Sequence, residues 1–409
     1  MGEQDSHFLH KAFLQAALAV GGSDPNPPVG AILVSPEGKI IGQGFTQKAG
    51  GPHAEVMAIR QAQSRGGLCE GTTLYVTLEP CNHYGRTPPC TLAILEAGIS
   101  RVVTAALDPS VPMQGQSLKL LEQQGVATAL ISQHFSLERH LTLMPFFYRQ
   151  RHQEVPIILK WAQTSDGYLA PPKGSSGPIT SEKSRSILQR LRRLYPVLGI
   201  GAGTWQSDLP QLSRRYYRNF FFERKDLHGD LYLRELILRH ESKEDIPPEA
   251  YEGDYYRFFV LPKSLNPELL RLHAQKLEKN HVVYFVYREN ASLVSCATQE
   301  IVFFENYEDL WEKLLAKAKD LGAGSIFWEA GPTLAEKLLS DQRVQAMFVF
   351  TGRRKAQELW GQKGRGFAAT ELFAQGCREA FEKYGFFWRA FLQWEQEELH
   401  YFTRADFWD

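Results

Sequence analysis

Two hydrophobic rhythms alternate through the first 130 residues. From Phe8 to Val20 apolar residues recur at helical spacing, whereas Val29 to Val34 is a short apolar run closed by the turn Ser35 to Gly38. Lys39 to Gly44 resumes the extended pattern, so the two runs predict a β-hairpin. Beyond it the pattern predicts helix over His53 to Ala62, strand over Thr72 to Thr77 and helix over Thr91 to Glu96, ended by Gly98. A strand over Arg101 to Ala106 and a helix over Ser117 to Gln124 follow. Strands separated by helices imply an α/β layer with parallel pairing.

The rhythm breaks at His134 to Arg151, an aromatic and basic stretch that reads as a connection between domains. A second α/β pattern opens with a strand over Pro156 to Trp161, then a helix over Ser181 to Leu194 and a strand over Val197 to Ile200. Tyr216 to Arg257 is aromatic and charged without clean periodicity, and reads as a large insertion. The pattern returns with Phe258 to Leu261, His281 to Tyr287, a helix over Tyr307 to Leu321 and a strand over Ser325 to Glu329. A helix from Thr333, a strand near Ala346 to Phe350 and paired strands in the last 30 residues complete it. The expected organisation is two α/β domains, residues 1–146 and 155–409, the second carrying an insertion near 216–257.

At 409 residues the chain exceeds one ordinary core, which agrees with that division. Its 43% hydrophobic and 22% charged residues are those of a globular protein. Forty-six Lys and Arg against 46 Asp and Glu leave no field for holding a polyanion, which weighs against nucleic-acid binding but not against a local pocket for one phosphate. No run of about 18 apolar residues occurs, so no membrane span is expected. The start, Met1 to Leu9, lacks the basic lead of a secretion signal. Five scattered cysteines, an odd count, argue against a disulfide framework and for a reducing compartment, the cytoplasm.

Candidate chemistry sits in the first domain. His53, Cys81 and Cys90 supply one imidazole and two thiols, with Glu55 close by. Zinc favours nitrogen and sulfur, and three protein ligands leave a fourth position for water, the catalytic arrangement. Such a site activates water at neutral pH, and Glu55 is placed to carry the proton. Residues two apart on a helix point about 200° apart, so His53 and Glu55 converge only on a target off the helix end. Gly50, Gly51 and Pro52 before them are a helix-start pattern. Cys90 follows Pro88 and Pro89 at another predicted helix start, where a thiolate is favoured. The competing reading is a closed structural site with His83 as fourth ligand, or cysteines that are simply buried.

The order His-x-Glu, Pro-Cys, Cys is the zinc deaminase pattern, although Cys81 and Cys90 stand nine residues apart instead of three. Thr77 to Cys90, reading Thr-Leu-Glu-Pro-Cys-Asn-His-Tyr-Gly-Arg-Thr-Pro-Pro-Cys, resembles the deaminase half of the bifunctional riboflavin-biosynthesis deaminase/reductase family. Pro25 to Gly30, Ala49 to Glu55 and Asp108-Pro109 match motifs of the same family. The resemblance implies a cytidine-deaminase-like α/β/α fold and a diaminopyrimidinone bearing a ribosylamino 5′-phosphate, which loses a ring amine. It places His83, Arg86 and Thr87 at the phosphate or ribose and Asn26 at the base edge. Thr46 departs from the family, which has histidine there.

The second domain is similar to the reductase half of that family, which is dihydrofolate-reductase-like and uses NADPH. Gly199 to Leu212 is glycine-rich but lacks the Gly-x-Gly-x-x-Gly fingerprint, so a Rossmann domain is not supported. The resemblance puts Ala162, Pro178, Thr204, Asp208 and the turn Gly331, Pro332, Thr333, Leu334, Ala335, Glu336 and Lys337 at the nucleotide. It puts Ser176, Arg192, Leu212, Arg215 and Glu329 at the sugar-phosphate substrate, where arginine forks suit phosphate. Pro178 stands where the family often has tryptophan, and Thr351 to Lys355 replaces the family's segment after the strand. Three readings stand at this point: the bifunctional enzyme, a deaminase with a repurposed second domain, and a zinc-stabilised nucleotide- or RNA-binding protein without turnover. A homo-oligomer is compatible with each.

Overall fold

The computed structural model describes residues 3–110, 114–172, 177–213, 226–238, 255–277, 281–294, 299–364, 381–382 and 384–404. The chain divides into two units, Met1–Gln153 and Glu154–Asp409, each with its own sheet. In the first unit α1 (Glu3–Ala19) precedes the hairpin β1 (Gly30–Val34) and β2 (Ile40–Phe45). Then come α2 (Ala54–Ser64), β3 (Thr73–Val76), α3 (Cys90–Glu96), β4 (Arg101–Thr104), α4 (Gln116–Gln123), β5 (Ala127–Leu130), α5 (Ser136–Thr142) and α6 (Met144–His152). The sheet order is β2-β1-β3-β4-β5. Strand β1 runs antiparallel to β2 and β3, and β3, β4 and β5 are parallel.

Two helices cover opposite faces of this sheet, and small residues decide how closely. A Cβ on Gly30 would lie 2.0 Å from the Ala12 carbonyl oxygen, so α1 rests on the β1 backbone. Cβ atoms on Gly42 and Gly44 would lie 2.1 Å from the Ala58 oxygen and 2.5 Å from the Ala54 oxygen, so α2 rests on β2 in the same way. Gly44 pairs with Ala31, the neighbour of Gly30, and successive strand residues face opposite sides, so α1 and α2 sandwich the sheet. The stretch His134 to Arg151 is not a bare connection. It forms α5 and α6, which bury Leu141, Met144, Phe146 and Phe147 inside the first unit. Pro145 in the first turn of α6 splits the stretch into helices too short to show a period. Strand β5 was equally silent in the sequence, being four half-exposed residues at the sheet edge.

The second unit begins with β6 (Ile157–Gln163), α7 (Glu182–Arg192), β7 (Val197–Ile200), α8 (Ala202–Asp208), β8 (His228–Gly229) and α9 (Leu231–Leu238). It continues through β9 (Tyr256–Val260), α10 (Pro267–Lys276), β10 (Val282–Tyr287), β11 (Glu300–Phe304), α11 (Tyr307–Asp320) and β12 (Ile326–Glu329). It ends with α12 (Pro332–Ser340), β13 (Val344–Thr351), α13 (Ala356–Trp360) and the antiparallel pair β14 (Phe386–Trp394) and β15 (Glu397–Arg404). The sheet has ten strands in the order β11-β10-β9-β7-β12-β6-β13-β15-β14-β8. Those from β11 to β13 are mutually parallel.

Strand β12 enters between β6 and β7, so chain that left the centre after β7 returns to it. Loops leaving the carboxyl ends of such strands diverge and open a crevice. Gly199 is required here because a Cβ on it would lie 2.1 Å from the ring of the buried Trp328. The described part of the expected insertion is ordered chain: β8 pairs with β14 and α9 buries Tyr232, Leu233, Leu236 and Ile237. Its expected end is corrected as well, since β9 already begins at Tyr256. Helix α10 escaped the sequence pattern although Asn266 caps it by accepting from the Glu268 and Leu269 N–H groups, with Pro267 at its start.

Gly42→Ala places a methyl against the Ala58 carbonyl, an overpacking worth roughly 1–3 kcal/mol. The expected result is a lower thermal midpoint for the first unit by calorimetry. An unchanged midpoint would show that α2 does not depend on this close approach.

Candidate active sites

Helix α2 begins at Ala54 with His53 as its N-cap residue, and Glu55 lies in its first turn. Both therefore sit at the helix end, where side chains two residues apart can serve one target. Pro52 stands before the cap instead of in the first turn, and its carbonyl accepts from the Gln47 N–H at 3.1 Å. Cys90 opens α3 after Pro89, and Cys81 lies in the loop that follows β3. His53 Nδ1 is 3.5 Å from Cys81 Sγ and 3.3 Å from Cys90 Sγ, and the Cys90 N–H donates to Cys81 Sγ at 3.3 Å. The three ligand atoms lie within 4.8 Å of one another, the one such grouping of His, Cys, Asp and Glu among the described residues. His83 is exposed and outside it, so the closed four-ligand reading loses its fourth ligand. An imidazole and two sulfurs at this spacing fit zinc with one open position.

The thiols titrate as a pair holding one proton between them. The hydrogen bond from Cys90, with lesser help from His53, holds Cys81 down at about 4 against its burial, while the same bond and burial push Cys90 up. The Cys81 sulfur also raises the His53 imidazole. Glu55 is 3% exposed, and burial, then the Cys81 charge, push its carboxyl up to about 7. A carboxyl poised near neutrality suits two-way proton transfer.

The loop between the thiols is pinned at both ends. The Thr91 N–H donates to the Cys81 carbonyl at 3.3 Å, and the Thr91 hydroxyl donates to Asn82 Oδ1 at 2.9 Å. Between these anchors His83, Tyr84 and Arg86 are exposed. Thr87 turns inward, with its Oγ1 3.4 Å from His53 Nε2. When Nδ1 is the metal ligand, Nε2 carries the hydrogen and the Thr87 hydroxyl accepts it, which fixes the ring's tautomer and orientation. Asn26 lies half-buried before β1, its N–H donating to the Ser23 carbonyl at 2.9 Å. Thr46 is 3% exposed and bonds the Val29 backbone through its hydroxyl, a packing role. Glu79 of the same motif is structural too: its carboxylate accepts from the N–H groups of Asp108, Gly115 and Ser117 and from the Ser117 hydroxyl.

In the second unit the carboxyl ends of β7 and β12 lead directly into α8 and α12, capped by Gly201 and Gly331. The two helix starts are neighbours, since a Cβ on Gly331 would lie 3.7 Å from Thr204 Oγ1. A Cβ on Gly203 would meet nothing within 4 Å, so the first turn of α8 faces open space. Backbone N–H groups at such starts suit a phosphate. Ala162 is half-buried on β6, Asp208 exposed at the end of α8 and Pro178 exposed. Of the α12 residues, Pro332, Leu334 and Glu336 are half-buried, Thr333 is exposed and Ala335 is fully buried. The Lys337 ammonium is drawn away, lying 4.1 Å from the Tyr307 ring centroid and 3.4 Å from Asp341. Ser176 and Arg215 lie outside the described residues.

Arg192 does not offer the open fork expected of a phosphate ligand. Its Nε and Nη2 donate to the Glu329 carboxylate at 2.5 and 3.0 Å, and its Nη1 to the Ser213 carbonyl at 3.2 Å. Lys160, which pairs with Glu329 across β6 and β12, completes a half-buried charged group that the residue pattern did not reveal. The signal was a lysine set between apolar residues of the strand Ile157–Gln163. Burial pushes its ammonium down, against the pull of Glu329. Burial works to raise the Glu329 carboxyl, but the Arg192 and Lys160 cations outweigh it. The segment Thr351 to Lys355 runs beside the end of β6, with the Gly352 N–H donating to the Gln163 carbonyl at 2.8 Å.

Outer-shell partners of a zinc histidine are worth about 10–100-fold in metal affinity. Thr87→Val is therefore expected to weaken zinc by about that factor in chelator competition, with Thr87→Ser close to wild type. Unchanged affinity in the valine variant would remove Thr87 from the metal's support. Cys81→Ser and Cys90→Ser should each lower the zinc-to-protein ratio.

Residues 2–106 match the model of the cytidine and deoxycytidylate deaminase zinc-binding region, and residues 156–352 match that of the RibD C-terminal domain. The riboflavin biosynthesis protein RibD of Haemophilus influenzae is 30% identical over 373 residues, covering 89% of this chain and 88% of its own length. Its Aquifex aeolicus namesake is 46% identical over 215 residues, or 52% of this chain and 58% of that one. A solved structure of Acinetobacter baumannii RibD aligns with TM-score 0.72 and 26% identity, covering 98% of this chain and 99% of that one. Two catalytic units in this order, matched along nearly the whole length, make this chain a member of the RibD family of riboflavin-biosynthesis deaminase/reductases.

Proposed function

We propose that the first unit deaminates a diaminopyrimidinone carrying a ribosylamino 5′-phosphate, and that the second reduces the opened ribose of the product to a ribityl chain with NADPH. The convergence of His53, Cys81 and Cys90 at the end of the helix that bears Glu55 carries this reading. Zinc held by those three residues supplies Lewis-acid activation of water. Glu55 takes the proton from the attacking water and returns it to the departing amine, so that the ring C–NH2 and water become C=O and ammonia. Its burial excludes bulk water from the exchange. His83 and Arg86, exposed on the loop, take the phosphate and ribose, and Asn26 takes a base edge.

In the second unit the adjoining starts of α8 and α12, with Thr204 and Gly331 side by side, suit the NADPH phosphates. Ala162, Pro178 and Asp208 border the cofactor. The paired Arg192 and Glu329, together with Lys160, face the sugar as a charged group that can share hydrogen bonds with its hydroxyls. NADPH supplies the hydride, and the protein supplies alignment. Equal numbers of acidic and basic residues favour a small substrate over a nucleic acid. The buried, unbridged thiol of Cys69 suits a reducing compartment such as the cytoplasm. No helix among the described residues is long and apolar enough to cross a membrane.

The test is product analysis with the pyrimidine nucleotide, with and without NADPH. Ammonia release without NADPH, and NADPH oxidation only once the deaminated product is present, are expected. Ammonia release without any NADPH oxidation would favour a repurposed second unit. Glu55→Gln should keep zinc while deamination falls by about 10²–10⁴-fold, and its NADPH oxidation on supplied deaminated product should match wild type. Near-normal ammonia release would remove Glu55 from the proton path.

A further inference from the structure

Helix α10 carries none of the candidate site residues, yet it holds a histidine bonded to the segment that follows α8. His273 is 0% exposed. Its Nε2 lies 3.0 Å from the Pro210 carbonyl oxygen, and its Nδ1 lies 3.1 Å from Trp205 Nε1 and 2.9 Å from the Tyr284 hydroxyl. A carbonyl only accepts and an indole N–H only donates, so Nε2–H donates to Pro210, and the single Nδ1 lone pair accepts from Trp205 and is shared with the Tyr284 hydroxyl. One neutral ring thus ties together α8, the segment that follows it and β10.

The segment needs holding. Leu209 and Leu212 both have left-handed backbones, with φ of 41° and 47°, which leucine adopts only where its surroundings impose it. The Pro210 carbonyl between them is anchored by His273, and the Ser213 carbonyl beyond them by Arg192. Asp208 and Leu212 flank the first anchor. We propose that His273 is a positioning residue for reduction: it fixes residues 209–212, with Leu212 packed inward at 2% exposure, in the conformation that holds the exposed Asp208 towards NADPH.

This rests on the assignment of the Asp208 contact under the function proposed above. The groups facing the ring from the surrounding elements are Arg257 of β9, Lys276 of α10, Tyr284 of β10 and the Pro210 carbonyl, with the rings of Phe259 and Trp205 edge-on to it. Burial, with the two cations, keeps the imidazole below the usual histidine range, while the Pro210 carbonyl opposes them. A protonated ring has no lone pair for Trp205 or Tyr284.

The experiment compares full-length wild type, His273→Phe and His273→Gln, reading KM for NADPH, kcat of reduction, and deamination. Glutamine keeps one donor and one acceptor; phenylalanine keeps the bulk alone. Loss of such an anchor is expected to raise the NADPH KM of His273→Phe about tenfold, with deamination unchanged and most of the loss recovered in His273→Gln. In wild type, NADPH binding should weaken as pH falls below the histidine range, and the glutamine variant should lose that pH dependence. Wild-type KM in a folded His273→Phe overturns the proposal, as does an identical pH profile in His273→Gln. Should the phenylalanine variant not fold, Tyr284→Phe removes one donor to Nδ1, and an unchanged NADPH KM there is equally fatal. Asp208→Ala tests the underlying assignment separately: if it binds NADPH as wild type does while His273→Phe does not, the contact is reassigned and the anchor stands.

Discussion

Between Gly44 and the carbonyl of Ala54 there is no room for even one methyl group, and Ala58 meets Gly42 in the same way. That absence of side chains presses α2 onto the hairpin, and the position of the first turn of α2 follows from it. The N-cap and first turn carry the imidazole and the carboxylate of the deaminase centre. Cys81 follows a central strand of the same sheet, and Cys90 begins the next helix. Two donors therefore hang from helix starts, and the third from a loop that Thr91 pins to α3, so backbone packing sets the triangle of ligand atoms. Sites supported this way keep their geometry better than sites on loops.

Much of this was legible in the residues. The hairpin, α2 and α3 announce themselves by period and by turn chemistry, and the pattern His-x-Glu, Cys, Cys marks the chemistry. The nine-residue separation of the cysteines looked anomalous along the chain. In space it is an excursion closed by bonds from Thr91 to Cys81 and Asn82. What the chain order hid was direction. Thr87 reads as one more polar residue of an exposed loop, yet it points to the histidine, while its neighbour Arg86 points to solvent. Short elements were hidden as well, because α5, α6 and β5 offer too few residues to establish a rhythm.

The candidate reductase site was less legible, because its parts come from elements distant in sequence. Arg192, Glu329 and Lys160 stand on α7, β12 and β6, and only the insertion of β12 beside β6 brings them together. An arginine read singly suggests a phosphate ligand; beside the half-buried Glu329 carboxylate it becomes half of an ion pair. Helix α10 was missed despite a good cap, since its neighbourhood contained no recognisable motif.

The two-residue strand β8 has a bearing on how the protein behaves at high concentration. A long sheet ends in unpaired amides that another chain can use as a template, and short or covered edges are the usual protection. His228 and Gly229 occupy the outer side of β14 at Gln393 and Leu392, and Asp230 binds the Phe391 N–H next to them. Gly229 has φ of 122°, and a Cβ on it would lie 2.3 Å from the Phe391 carbonyl oxygen, so the chain turns away as soon as it has paired. A stretch that looks superfluous to catalysis thus covers part of the outer side of β14 and shortens the rail on which a neighbouring molecule could stack.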